Sequence, residues 1–174
     1  MIYQRLRMAL LRAALAIAVC VLAQSSATAQ ASSDSKACKQ LPTTEVEAAL
    51  GTAIQRKSGN DLPNFSSCTV FAGAASAKVE IHTAGQAGLP KDVASGLAGV
   101  KEMLGSRMEG FESENAGDVG CYRGTLTIKG AGSAYATTCF KPAGYVTVTV
   151  TRSDMLATFA AVKAVLAKIA AGLR

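Results

Sequence analysis

The sequence predicts an α+β domain with a mainly antiparallel sheet, a C-terminal amphipathic helix packed on it, and two disulfides. Three observations support this fold class. Residues 144–151, GYVTVTVT, alternate apolar and polar side chains, as a half-buried strand does. Residues 155–173 repeat apolar side chains at spacings of three and four, as a helix lying on a core does. Beyond the N-terminal segment there are four cysteines, and an even number is typical of disulfide-bonded proteins.

The N-terminal segment has the three parts of a secretory signal peptide. Three arginines precede an unbroken apolar run, Ala13–Ala23, and Ala27-Thr28-Ala29 then supplies the small residues of a cleavage site. The run is too short for a membrane span, which needs about 20 apolar residues. A lipoprotein signal would use Cys20, but the branched Val19 precedes it. The sequence therefore predicts cleavage near Ala29, a mature chain without a transmembrane segment, and a periplasmic or secreted protein.

The charge of the chain does not indicate a nucleic-acid partner. The net charge of +6 includes three arginines of the predicted signal peptide, so the mature chain would carry 15 Lys and Arg against 12 Asp and Glu. These basic residues are scattered and have no interleaved aromatic residues. The predicted organisation is a signal peptide over 1–29, a flexible polar N-terminus over 30–37, and a single α+β domain over 38–174.

The four remaining cysteines are predicted to form structural disulfides. They are Cys38, Cys68, Cys121 and Cys139. Four cysteines allow three pairings, and pairing each with its neighbour in sequence favours Cys38–Cys68 and Cys121–Cys139. A zinc site or a redox motif would need a close pair such as CxxC, which this chain lacks. No metal and no cofactor is expected.

The second cysteine pair brackets a predicted β-hairpin, residues 121–140. If Gly130 is the centre of the loop, the two cysteines lie directly opposite each other and can be bridged. A loop of Gly130-Ala131-Gly132 would instead offset them diagonally, and the sequence leaves both registers open. In either register the cysteines share a face with polar side chains such as Arg123. We expect the disulfide on this wetter face and the core on the other.

The remaining elements follow from periodicity and capping signals. A short helix is predicted over Glu45–Leu50, with a capping box of Thr44 and Glu47 and with Gly51 at its end. A loop is then predicted for RKSGNDLPN, and strands are predicted for SSCTVF and AKVEIHT. A second helix is predicted for LPKDVASGLAGVKEMLG, and a short strand for RMEGFESE. In the second helix the predicted core stripe is Val93, Leu97, Val100 and Leu104.

The C-terminal part is predicted to end in a strand and a long helix. A three-residue loop, Pro142-Ala143-Gly144, should lead into a strand over Tyr145–Thr151 and place Phe140 opposite Val146. Ser153 is the predicted N-cap of the final helix. Its stripe consists of Met155, Phe159, Val162, Leu166, Ile169 and Leu173. The predicted element order is α-β-β-α-β-β-β-β-α.

The sequence carries few residues that indicate catalysis. His82 is the only histidine, and we expect it on the polar side of a strand. No GxSxG, HExxH, P-loop or GxGxxG motif is present. Four carboxylates cluster between residues 109 and 118, where they could bind calcium or act as a hydrolytic pair. They are Glu109, Glu112, Glu114 and Asp118. A polar strand and turn is the simpler interpretation of this cluster.

Three segments together resemble a broad group of small exported bacterial proteins of unknown function, some of them lipoproteins. They are ACKQLPTTEVEAALG followed by SSCTVF, then NAGDVGCYRGTLTIKG, and finally GYVTVTVTR with the terminal alanine-rich helix. The resemblance implies an exported α+β domain with a Cys–helix–Gly opening, and it assigns no catalytic residues. This chain departs from lipoprotein members in its signal, and from the group in its Cys121 and Cys139 pair.

Three functional hypotheses follow from these features. The favoured one is a non-catalytic binding or accessory module of the cell envelope, whose partner is another protein, an envelope component or a small apolar ligand. The second is an exported hydrolase that uses the acidic cluster at 109–118. The third is a lipid-binding or membrane-surface protein that uses the terminal helix.

Overall fold

The computed structural model describes residues 34–83, 86, 88–128 and 132–173, which belong to one compact unit. The predicted signal peptide lies outside the described residues. Within them the chain forms four helices and seven strands. In chain order these are α1 (Lys36–Lys39), α2 (Thr43–Leu50), β1 (Arg56–Leu62), β2 (Phe65–Ala72), β3 (Ala75–His82), α3 (Val93–Leu104), β4 (Met108–Ala116), β5 (Val119–Ile128), β6 (Gly132–Lys141), β7 (Val146–Arg152) and α4 (Phe159–Gly172).

All seven strands belong to one antiparallel sheet with the order β1-β2-β3-β7-β6-β5-β4. Two meanders, β1–β3 and β4–β7, meet where β3 pairs with β7. The chain therefore leaves the middle of the sheet after β3 and crosses to its far edge before β4. The antiparallel sheet and the C-terminal helix confirm these parts of the predicted fold class.

The main core lies on one face of the sheet, which we call the core face. Helices α1, α2 and α4 cover it, and α4 contacts β5, β6 and β7. Alternate residues of the central strands point into it, where each buried Val or Leu contributes about 1.5–3 kcal/mol. The largest core side chains from β2, β3, β7 and α4 are Val70, Val79, Val146, Val148, Val150, Val162, Val165, Leu166 and Ile169. Helix α3 packs on the opposite face, which we call the α3 face.

The favoured cysteine pairing and the symmetric hairpin register are both confirmed. Cys38 and Cys68, and Cys121 and Cys139, lie at disulfide-bonding distance. Cys121 lies directly opposite Cys139, which is the register centred on Gly130. The predicted face is wrong, however. Both cysteines are fully buried on the core face beneath α4, because β6 pairs with β7 and aligns Cys139 with Val148.

The segment predicted to be a loop, RKSGNDLPN, instead contains β1. Its residues pair with β2 from Arg56↔Phe71 to Leu62↔Phe65. The strand lies at the edge of the sheet, where polar and charged side chains are tolerated because one side faces solvent. Pairing with β2 thus overrides a composition that is typical of loops.

The N-terminal part of the domain differs from two expectations. Helix α1 begins within the region 30–37 expected to be flexible, and it is fixed to β2. The Ser35 hydroxyl donates to Ser67 O (2.9 Å), and Ala37 N donates to the Ser66 hydroxyl (2.8 Å). In α2 the capping box is absent, since Glu47 Oε1 accepts from Ile54 N (2.9 Å) rather than from the start of the helix.

The turn between β6 and β7 is one residue longer than predicted. Lys141 pairs with Val146, so Phe140 lies opposite Thr147 and not opposite Val146. Gly144 does take the left-handed conformation, with φ of 75°. The shift places Phe140 and Thr147 on the α3 face.

Helix α4 begins five residues later than predicted. Its N-cap is Thr158, whose hydroxyl accepts from Ala161 N (3.2 Å), and not Ser153. The intervening segment is fixed by a bond from the Thr137 hydroxyl to Ala157 O (2.9 Å). The Met155 side chain is consequently 53% exposed and outside the helix. The stripe itself is confirmed at Val162, Leu166 and Ile169, all buried in the core.

Candidate ligand-binding cleft

Helix α3 occupies the crossover from the centre of the sheet to its edge. It contacts β4 and β5 but leaves β6 and β7 partly uncovered on the same face. Adjacent strands are about 4.8 Å apart, so the crossover passes over a distance of roughly 19 Å between β3 and β4. A single helix cannot cover all of that width, and a cleft remains beside it.

The apolar side of α3 is only partly buried by the sheet. Of its twelve residues, only Val93 and Gly96 are buried. The predicted stripe is therefore only partly confirmed, because Leu97, Val100 and Leu104 are half-buried. Met103 is 64% exposed at the end of the helix. Such an arrangement leaves apolar surface facing a cleft.

Two glycines show where α3 touches the sheet and where it does not. A Cβ atom on Gly96 would lie 2.7 Å from the Phe140 ring, so a larger residue would push the helix away there. A Cβ atom on Gly99 would meet nothing within 4 Å. Helix α3 is thus in close contact with the sheet at Gly96, and about one turn later, at Gly99, the space beside the helix is open.

The cleft between α3 and the sheet, which we call the α3 cleft, has a volume of about 390 Å³. Pockets for small molecules typically range from about 300 to 1,000 Å³ and combine apolar walls with a few polar groups. The walls here are formed by the loop before α3, by α3 itself and by β5–β7. The lining residues are Gly88, Leu89, Pro90, Ser95, Gly96, Gly99, Val100, Met103, Tyr122, Thr138, Phe140, Tyr145 and Thr147.

Hydroxyl groups are concentrated on the floor of the α3 cleft. Burial raises the pKa of the Tyr122 phenol, and a side-chain hydrogen bond with Thr138 partly opposes that shift. The Thr138 and Thr149 hydroxyls lie 3.0 Å apart. Thr147 is 9% exposed, and its Oγ1 has no hydrogen-bond partner among the described residues. A buried hydroxyl without a partner costs about 1–3 kcal/mol, so this site is less stable than a fully paired one.

A row of aromatic rings leads along the end of the sheet to the α3 cleft. The His82 ring lies 4.8 Å from that of Phe65 and 5.1 Å from that of Tyr145, and Tyr145 lies 6.5 Å from Phe140. His82 is on the polar side of β3, as predicted. It is half-buried between rings, and its Nδ1 is 3.3 Å from Gln86 Oε1. This environment is that of a packed side chain, not of a general base beside a nucleophile.

The acidic cluster is divided among separate ion pairs. Glu112 binds Arg123 (2.6 Å), Glu114 binds Lys163 (2.8 Å), and Asp118 binds Lys141, which lowers the pKa of that carboxyl. Glu109 is exposed on β4. In the part of the chain that the structure describes, no three acidic, histidine or cysteine side chains gather as metal ligands. Three of the four carboxylates therefore act as surface ion-pair partners.

A second cleft, of about 650 Å³, lies at the end of the sheet beyond the aromatic row. Charged side chains contribute to its walls, among them Lys36, Asp61 and Lys141. Asp61 accepts hydrogen bonds from Lys36 N (3.2 Å), and Lys141 is paired with Asp118. Asp61 and Lys141 thus already have partners, so we regard the second cleft as a less specific candidate than the α3 cleft.

Sequence reasoning did not find the α3 cleft. The available signal was the pair Gly96 and Gly99 on the apolar side of a predicted helix. Glycine at such positions weakens a helix by about 1 kcal/mol relative to alanine and calls for a packing or functional reason. Here the reasons are the Phe140 contact at Gly96 and the open space at Gly99.

Comparison of the chain with protein-family models, curated proteins and solved structures gave no match. The resemblance to small exported bacterial proteins thus stays a prediction. None of the helices in the described ranges has the length and hydropathy needed to cross a membrane.

Proposed function

We propose that this protein is an exported, non-catalytic binding module of the cell envelope that holds a small, mainly apolar ligand in the α3 cleft. The observation that carries the proposal is a 390 Å³ cleft beneath a helix that buries only two of its twelve residues. The apolar side of α3 provides hydrophobic surface, and the hydroxyls below provide hydrogen-bonding groups that orient a ligand.

Two features support ligand binding over a purely structural role for this face. Met103 is flexible and largely exposed at the edge of the cleft, as methionines at adaptable binding surfaces are. The buried Thr147 hydroxyl has no hydrogen-bond partner among the described residues, whereas a valine of the same branched shape would need none. A ligand hydroxyl or amine would offset the cost of that unpaired group.

The other two hypotheses have less support. The proposed hydrolytic carboxylates are held in separate ion pairs. A membrane-surface role for α4 would require its apolar stripe to be available, but Val162, Val165, Leu166 and Ile169 are buried in the core.

The binding proposal is tested with N-phenyl-1-naphthylamine, an uncharged probe that fluoresces in apolar sites. We expect saturable binding to the wild-type protein and loss of that binding in Gly99→Leu, whose side chain would extend into the α3 cleft. Gly172→Leu is the matched control, because Gly172 is exposed near the end of α4 and outside the cleft. Equal binding by the wild type and Gly99→Leu would refute the α3 cleft as the site.

Export is tested by native mass spectrometry of protein recovered from the periplasm or medium of its own host. The expected mass begins at Gln30 and is lower by four hydrogens than that of the reduced chain, as two disulfides require. A mass that retains residues 1–29 would refute cleavage. An additional bound mass would identify the natural ligand directly.

A further inference from the structure

The α3 cleft is lined by uncharged side chains alone among the described residues, whereas 17% of the residues of the whole chain are charged. Its thirteen lining residues include three aromatic rings and several hydroxyls. An ionic group that enters such a site loses its hydration, and it binds only if a charge of opposite sign compensates it.

Two charged side chains lie on β3, the strand next to the cleft, and they are paired with each other. Glu80 on β3 lies directly opposite Thr147, and Lys78 lies directly opposite Thr149. Lys78 Nζ is 2.6 Å from Glu80 Oε1. Lys78, the cation on the strand beside the cleft, is therefore already neutralised by a carboxylate.

We propose that the α3 cleft selects uncharged, ring-bearing ligands over anions of the same shape, because its walls hold no charged side chain and Lys78, on the strand beside it, is already paired with Glu80. This inference rests on the proposed binding function and adds the chemical class of the ligand. It distinguishes neutral aromatic or terpenoid-like molecules from carboxylates such as fatty acids.

The test compares two probes that share one skeleton. N-phenyl-1-naphthylamine is uncharged, and 1-anilinonaphthalene-8-sulfonate adds one sulfonate to the same rings. Both are titrated against wild-type protein and Gly99→Leu, and the signal lost in the variant is assigned to the cleft. We expect the uncharged probe to bind the cleft at least tenfold more tightly than the sulfonate.

A charge variant tests the cause of this selection. Glu80→Gln removes the carboxylate and frees Lys78, so the affinity of the sulfonate should rise at least threefold while that of the uncharged probe stays within twofold. Glu45→Gln is the matched control. Glu45 is also partly buried and also faces a lysine, Lys168 (3.7 Å), but α2 places it on the core face.

The possible outcomes separate the two proposals. Equal affinity for both probes, with both signals lost in Gly99→Leu, would overturn charge selection and leave the binding function intact. If Glu80→Gln and Glu45→Gln change the affinity for the sulfonate by the same factor, the role assigned to Glu80 is overturned. If neither signal depends on Gly99, the α3 cleft is not the site and both proposals fail.

Discussion

Two buried threonines on neighbouring strands should respond to the same substitution in opposite directions. Thr137 on β6 is fully buried, and its hydroxyl donates to Ala157 O at 2.9 Å. Thr147 on β7 is 9% exposed, and its hydroxyl has no partner among the described residues. Thr→Val keeps the branched shape and replaces only the hydroxyl with a methyl group. The comparison therefore isolates the contribution of each hydroxyl to the free energy of unfolding.

The structure fixes the sign of each effect and its approximate size. Thr137→Val loses a hydrogen bond and leaves a buried carbonyl unpaired, which costs about 1–3 kcal/mol. The additional methyl group offsets about 0.8 kcal/mol of that cost. Thr147→Val removes an unpaired hydroxyl and should gain about 1 kcal/mol. We expect the free energies of unfolding of the two variants to differ by about 2 kcal/mol, or roughly 6 °C in melting temperature.

Urea unfolding with both disulfides intact measures these free energies by linear extrapolation. The slope of the transition should match the wild type in both variants, since neither change alters the surface exposed on unfolding. A loss of stability in Thr147→Val as large as that in Thr137→Val would refute the reasoning, because it would show that the Thr147 hydroxyl is paired in solution. If Thr147→Val also weakens the binding of N-phenyl-1-naphthylamine, that hydroxyl contributes to the site.

Three other predictions concern α3, the disulfides and acid stability. Gly96→Ala should lower the melting temperature, because the added methyl group overpacks against the Phe140 ring and costs about 1–3 kcal/mol of the free energy of unfolding. Gly99→Ala should raise the melting temperature, because alanine favours a helix more than glycine does. Equal shifts in the two variants would contradict the contact geometry. Replacing Cys38 and Cys68 together with alanine should lower the free energy of unfolding in urea by about 3 kcal/mol, and an unchanged midpoint would show that the bridge does not form. The backbone amide of Ser95 donates to the Asp92 carboxylate and holds the pKa of that carboxyl below its ordinary value. The stabilisation by Asp92 is therefore complete above the unfolded-state pKa, about 3.9. It is lost as the pH falls through the lower folded-state pKa. Asp92→Asn retains the cap without the charge, so its melting temperature should fall less than that of the wild type between pH 5 and 3.

Local patterns in the sequence predicted the elements whose residues determine their own structure. The strand at Val146–Arg152 and the buried side of α4 follow from regular alternation and regular helical spacing. The β5–β6 hairpin follows from two cysteines at equal distances from Gly130. In each case the information lies within about twenty residues of the chain.

Features that depend on distant segments were not predicted. β1 is a strand because β2 pairs with it, although its own composition favours a loop. The disulfide of the hairpin is buried on the core face because β7 separates β3 from β6 and brings α4 over it. The α3 cleft depends on both the strand order and the path of the crossover. Neither is encoded in the local pattern of residues 88–104.

The strand order also affects the order in which the parts of the protein can fold. Each disulfide joins two cysteines that are neighbours in sequence, and each lies within one of the two meanders and its adjoining helix. A chain entering an oxidising compartment N-terminus first could therefore form each native bridge before the next cysteine appears. The final joining of the halves must wait for β7, which is the penultimate element to emerge. Oxidation and local pairing can thus be complete while the sheet is still in two parts.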